Sequence, residues 1–345
     1  MRILIAHSYY RQEGGENYAV DRQVELLGSY HDVGLFVDDN ADLAISATAA
    51  ARMTFSRRQL LRAESVMQEF RPDVVHVHNS YPSIGPAVHL AARRLGIPLV
   101  STVHNFRLRC PSGLRLRGGR ACNLCESGRY YNAVVHNCLG SAAQSAGYAA
   151  ALWAHRFLLR LESTTAIFVV PSEFFRERLA GWGIPESKIR LVRNFVSPGT
   201  GPAAPPRTSG LYVGRLAPEK GVGLLLAALA RAGDPSFSIV GDGPQRAELE
   251  RRARDLGLRR TTFLGRVPPE RVGWLMAAAG WVVLPSLWEE NAPLVAGEAM
   301  SLGRPLVVSD KGGLPELVRS GGGLVFRAGD QADLAAKLLL LMNDP

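Results

Sequence analysis

No run of apolar residues in this 345-residue chain approaches the roughly 20 that a membrane-spanning helix needs. The opening MRILIAH is too short for a signal-peptide core, so it reads as a first buried strand and the protein is expected in the cytoplasm. Cysteine is scarce: four residues, which in that compartment read as thiols or metal ligands rather than a disulfide framework. The GxGxxG fingerprint is missing where the first strand runs into HSYYRQEGG, which excludes the dinucleotide dehydrogenase pattern. Basic residues are neither interleaved with aromatics nor set along a recognition helix, so no nucleic-acid partner is expected. Short-period repeats and long low-complexity tracts are also absent.

What is present is ordinary globular composition, 47% apolar and 21% charged, at a length that suits two domains. The net charge of +9 points to anionic partners: a nucleotide, a phosphate or an acidic lipid surface. Short apolar runs (RILIAH, VGLFV, DVVHVH, PLVSTVH, AIFVVPS) alternate with helical stretches, and a second series follows (LYVGRL, FSIVG, TTFLG, WVVLPS, PLVVSD, GGLVF). This alternation predicts an α/β protein with parallel sheets covered on both faces by helices. Between the two series, SPGTGPAAPPRTSG (197–210) is rich in Pro and Gly and reads as a linker. The chain therefore divides into an N-terminal domain over 1–196, with an insertion at about 106–140, and a C-terminal domain over 211–345. Two such doubly wound domains are expected to face each other across a cleft.

In LYVGRLAPEKG, Arg215 and Lys220 lie just past a strand and before a helix, a pairing that suits a diphosphate. The alternative is a solvated turn. Gly14 and Gly15 after the first strand remove Cβ atoms where backbone could approach phosphate or sugar. In WEENAPLVAGEAM, Glu290 sits in a loop and Glu298 on the helix opened by Pro293. Two such carboxylates can address separated hydroxyl-bearing rings, with the Leu294 and Val295 amides aimed at phosphate between them. An ordinary first-turn glutamate and a surface glutamate would give the same local sequence.

Taken together, GRLAPEKG, GDGP, FLGRV, the Glu290/Glu298 pattern and GRPLVVSDKGGLPELV closely resemble retaining glycosyltransferase family 4. So do EGGE at 13–16, DVVHVH at 73–78, STVHN at 101–105 and VPSEF followed by VRNFV. The resemblance spans nearly the whole chain. It implies a GT-B fold and sugar transfer from a UDP- or GDP-sugar, used as co-substrate, to a carbohydrate, lipid-linked or small-molecule acceptor, without a catalytic metal. It further implies Arg215 and Lys220 on the donor diphosphate, Glu298 on the ribose, Glu290 on the donor sugar, Gly15 at the phosphate or sugar, and Val267 against the base. His104 would sit beside the reacting sugar. His76 and His78 share a strand face and are lining candidates only. The rival readings are a nucleotide-sugar epimerase on the same fold and a noncatalytic nucleotide-sugar binding protein. Members of the family usually continue beyond LLLLMNDP through helices that return to the N-terminal domain, and both a naturally short version and a shortened chain fit the sequence.

All four cysteines, Cys110, Cys122, Cys125 and Cys138, fall in the insertion with a CxxC at its centre, which suits a structural zinc site; unliganded thiols or a redox disulfide are the alternatives. The same loop carries Arg107, Arg109, Arg115, Arg117 and Arg120 with no acid among them, either an anion-attracting surface or a solvated one. AALWAHRFLLRLE (149–162) reads first as a core-packing helix with a basic outer face and second as a membrane-surface helix, giving peripheral contact with the inner membrane surface. The sequence sets no oligomeric state.

Overall fold

The structure is a computed structural model that describes residues 1–9, 14–39, 47–196 and 209–343. It consists of two compact units: Met1–Arg115 with Cys122–Arg193, and Leu116–Ala121 with Asn194–Pro345. Of the expected linker, 197–208 lies outside the described residues, as does Glu13 of the EGGE motif, while Gly210 opens a strand.

The first unit holds a six-stranded sheet that begins with β1 (Arg2–Tyr9), β2 (Asp32–Asp39), β3 (Val74–Asn79) and β4 (Leu99–Thr102); next along the chain comes a small antiparallel hairpin, β5 (Leu116–Arg117) and β6 (Arg120–Ala121), which is grouped with the second unit. The sheet is completed by β7 (Ile167–Val170) and β8 (Ile189–Leu191), in the order β2-β1-β3-β4-β7-β8 with every pairing parallel. Side chains alternate across its faces. Leu4 and Ala6 pack with Leu60, Ala63, Val88 and Ala91 of two helices, whereas Ile3 and Ile5 pack with Val20 of the helix Gly15–Gly28 on the opposite side.

The second unit repeats the plan with β9 (Gly210–Val213), β10 (Phe237–Val240), β11 (Thr261–Gly265), β12 (Trp281–Leu284), β13 (Leu306–Ser309) and β14 (Gly323–Phe326), ordered β11-β10-β9-β12-β13-β14 and again all parallel. Trp281 and Val283 enter one core while Val282 and Leu284 enter the other. Burial on both faces accounts for the continuous apolar runs seen in the sequence. In each sheet the strand order reverses once, between β1 and β3 and between β9 and β12. Ligands of such sheets bind outside the carboxyl ends of the strands at that reversal. No described helix is long and apolar enough to cross a membrane.

Candidate active site

In the second unit, the segments leaving β9 and β12 both emerge at the reversal. Backbone locks them together: the Leu287 amide donates to the Glu219 carbonyl (2.8 Å). Gly221 (φ +70°) sits so close to Pro285 that a Cβ would lie 2.0 Å from its carbonyl oxygen. The β13 side closes similarly, with Gly312 (φ +62°) against the Glu290 backbone and the Gly313 amide donating to the Glu290 carbonyl (2.8 Å). Only glycine meets both the positive φ and the missing space at these positions.

This framework holds Glu290 as a buried carboxylate, 6% exposed. Its Oε1 accepts from Lys220 Nζ (2.7 Å) and Ser286 Oγ (2.6 Å). Burial pushes its carboxyl up, yet the Lys220 charge and the hydrogen bonds from Lys220, Ser286 and Trp288 outweigh that and hold it below 4.5. Lys220 also lies 5.2 Å from the Trp288 ring centre. Arg215, half-exposed, pairs with the buried carboxylate of Glu219 (2.5 Å), four residues on and in a 3-10 turn. Both cations are thus oriented by carboxylates of the same unit.

From the Glu290 loop the chain enters the helix Leu294–Ser301, capped by Pro293, so the Leu294 and Val295 amides fall in the first turn, whose N–H groups have no partner within the helix. Glu298 is half-buried on the same helix. Val267 follows β11 and packs partly buried against the core beneath β12. The structure therefore gathers Arg215, Lys220, Glu290 and the start of the Leu294 helix around one sheet edge. Ser286 and Glu219 belong to this group and escaped the sequence reading. Their only sequence signals were the four-residue spacings from Ser286 to Glu290 and from Arg215 to Glu219.

The corresponding edge of the first unit is built from histidines. His7, near the carboxyl end of β1, donates from Nε2 to Asn17 Oδ1 (3.0 Å) on the helix that Gly15 begins. Among the described residues no neighbour stands within 4 Å of where a Gly15 Cβ would be. His76 Nε2 bonds Thr102 Oγ1 (2.7 Å), and His78 Nδ1 meets His104 Nε2 at 2.9 Å. Burial, then the His7 and His76 charges, push His104 down to about 3, and burial with three neighbouring imidazoles holds His78 well below its ordinary value. Both rings are neutral near pH 7, so one donates N–H to the other's lone pair and their tautomers are coupled. A cavity of about 100 Å³ beside them is lined by His78, Asn79, Tyr81, His104, Asn105 and Arg107, among others. His78, expected only as a lining candidate, is the direct partner of His104.

The structure brings the four cysteines near one another but does not confirm zinc. None of the four is in a disulfide, and among the described residues no three His, Cys, Asp or Glu side chains form a group able to hold a metal ion. Cys125 is buried, and burial together with the neighbouring thiols of Cys110, Cys138 and Cys122 pushes it up to about 12, which keeps it protonated. Cys110 Sγ engages Ser112 Oγ (3.2 Å) and Cys138 is exposed. The arginine run divides as well. Arg109, 1% exposed, makes a bidentate pair with Glu162, and the buried Arg115 pairs with Glu126 (2.7 Å), so both are structural, while Arg117 and Arg120 are exposed on the β5–β6 hairpin.

Residues 13–199 match the family described as Glycosyltransferase Family 4, and residues 205–345 match Glycosyl transferases group 1. An alpha-D-kanosaminyltransferase of Streptomyces kanamyceticus is 41% identical over 144 residues, covering 39% of this chain and 36% of the relative. A glycogen synthase of Mycobacterium tuberculosis is 32% identical over 289 residues, covering 81% of this chain and 62% of the relative. The chain thus spans less than two thirds of the length of either. Among solved structures, Anabaena HepE in complex with UDP-glucose superimposes with a TM-score of 0.68 at 19% identity, covering 100% of this chain and 90% of that one. That likeness shows the fold, two Rossmann-like units of the GT-B type. With one family match running through more than half of its residues, the chain belongs to glycosyltransferase family 4.

Proposed function

We propose that the protein transfers a sugar from a nucleotide-sugar donor, a UDP- or GDP-sugar, to a carbohydrate, lipid-linked or small-molecule acceptor with retention at the anomeric carbon. The observation that carries this reading is the grouping of Arg215, Lys220, the buried Glu290 and the first amides of the Leu294–Ser301 helix at the strand-order reversal of the second unit. Arg215 and Lys220 hold the diphosphate with the Leu294 and Val295 amides, Glu298 holds the ribose, and Val267 lies by the base. Glu290 is fixed by Lys220 and Ser286 and bonds the donor sugar. In the first unit, the helix start at Gly15 approaches phosphate or sugar, and His104, kept neutral and oriented by His78, stands at the reacting sugar. Cleavage of the anomeric bond moves negative charge onto the diphosphate while the sugar becomes oxocarbenium-like, and preorganised cations and amides stabilise that change. The complex of Anabaena HepE with UDP-glucose makes UDP-sugars the first donors to try.

The test is incubation with UDP-, GDP- and dTDP-sugars, following nucleotide release by mass spectrometry with and without acceptors. Acceptor-dependent release supports transfer; a sugar isomer formed without acceptor would replace it by epimerisation. Two variants separate binding from chemistry. Glu298→Ala is expected to raise the donor KM about tenfold with kcat nearly unchanged, and Arg215→Ala to lower kcat by about 10². Wild-type turnover in the Arg215 variant would remove the proposed charge stabilisation.

A further inference from the structure

Residues 122–160 build a surface that none of the roles above uses. The helix Ala142–Trp153 runs into a turn of π-helix, Ala154–Leu158. Its widened turn changes the phase of the side chains that follow. Ala151, Leu152, Ala154 and His155 are buried, with His155 held by the Tyr81 hydroxyl (2.6 Å) and the Thr54 carbonyl (3.1 Å). Trp153, Phe157 and Leu158 instead stand 48%, 46% and 65% exposed, and the two rings lie 6.0 Å apart. The cysteine loop abuts the same place: a Cβ on Gly128 would come within 2.6 Å of the Phe157 ring. Just beyond it, Tyr131 and Val135, at 61% and 71% exposure, cap and end the short helix Asn132–Val135, which packs on the Ala142–Trp153 helix.

Charge around this face is one-sided. The Arg156 guanidinium lies 5.1 Å from the Phe157 ring centre, and Arg129 and Arg160 are exposed. Between 122 and 160 the sequence holds one carboxylate, Glu126, and it is paired with Arg115 (2.7 Å).

We propose that this face docks peripherally on an anionic lipid surface, through Trp153, Phe157 and Leu158 in the boundary between headgroups and acyl chains and Arg129 and Arg160 on the lipid phosphates. An anionic bilayer supplies both things the face lacks, an apolar layer and negative charge. A second copy of the chain would supply the apolar cover but would set the same arginines against one another with no carboxylate between them. The inference deepens the acceptor side of the proposed function by placing the enzyme where lipid-linked acceptors lie, yet its test needs no donor and so stands or falls separately.

The test is flotation of the purified full chain with vesicles of phosphatidylcholine alone and vesicles enriched in phosphatidylglycerol, at low and physiological salt. Binding is expected on the phosphatidylglycerol vesicles, weakening as salt rises. Combined Trp153→Ser, Phe157→Ser and Leu158→Ser substitution is expected to lower that binding at least about tenfold. Arg129→Ser with Arg160→Ser, at exposed positions, is a second variant for which folding is not at issue, and it should weaken binding selectively on anionic vesicles. No binding to phosphatidylglycerol vesicles, equal binding to the neutral ones, or unchanged binding by both variants would overturn the proposal. So would a concentration-dependent dimer in sedimentation velocity that the serine variants abolish, which would assign the face to a second copy.

Discussion

Lys220→Ala is expected to lower kcat/KM by about 10³ and to destabilise the second unit by about 3–5 kcal/mol. The two losses have one origin. Lys220 is the cation beside the proposed diphosphate position and also the partner of Glu290, which is 6% exposed and cannot turn to water for compensation. The pH dependence should change sign. In the native protein the Glu290 carboxyl titrates below 4.5, so its contribution is present above that value and is lost as pH falls through the lower folded value. Without Lys220, burial prevails and lifts the folded carboxyl above its unfolded value. The variant then loses stability as pH rises past 4.5, the opposite of the native trend. Hydrogen exchange in β9 and β12 between acid and neutral pH reads this directly. A companion Lys220→Met, Glu290→Gln protein should regain stability without regaining turnover, because replacing both partners removes the buried charge. If Lys220→Ala gains protection in these strands with rising pH as the native chain does, the pair is not what holds Glu290.

Much of this arrangement is legible in the sequence because parallel strands buried on both faces advertise themselves as short apolar runs. PLVVSD and WVVLPS are β13 and β12 with their carboxyl-end residues attached, and the strand order reverses between β12 and β9. Arg215, Lys220 and Glu290 could be picked out for the same reason: each follows a readable strand within a few residues. What could not be read is pairing across the fold. The Lys220–Glu290 bond joins residues 70 apart and the His78–His104 bond joins residues 26 apart, and neither separation has a local signature. The insertion misled in its arginines, two of which find carboxylates, Glu162 and Glu126, that its arginine-only stretch does not show. Helical periodicity over AALWAHRFLLRLE favoured a core-packing helix, and Ala151, Leu152, Ala154 and His155 are buried, while Trp153, Phe157 and Leu158 stand exposed.

Mild acid is expected to unfold the first unit while the second still holds. All eight histidines of the chain lie in its first 155 residues, so only the first unit carries them. Burial holds His76, His89 and His155 down to about 4, with the His155 charge adding to the effect on His89. It holds His104 to about 3, and lowers His7 and His78 as well. In each case the folded value lies below the unfolded value near 6.5, so the unfolded chain takes up protons first. Stability is therefore full above about 6.5 and is lost as pH falls from there toward the folded values near 4. Each deeply buried imidazole can cost up to about 3 kcal/mol across that range. His76, His89 and His155, at 7%, 8% and 5% exposure, together approach the whole stability of an ordinary domain, about 5–15 kcal/mol. Carboxylates remain ionised down to about pH 5, so the loss above that point belongs to the histidines. Hydrogen exchange at about pH 7.5 and about pH 5, corrected for intrinsic rates, should show β1, β3 and β4 losing protection ahead of β9, β10 and β12. His89→Leu removes one titrating ring, whose Nδ1 is buried without a hydrogen-bond partner, and should flatten the pH dependence of the first unit alone. Equal protection of both sheets at the lower pH would mean that these imidazoles can protonate without leaving the fold.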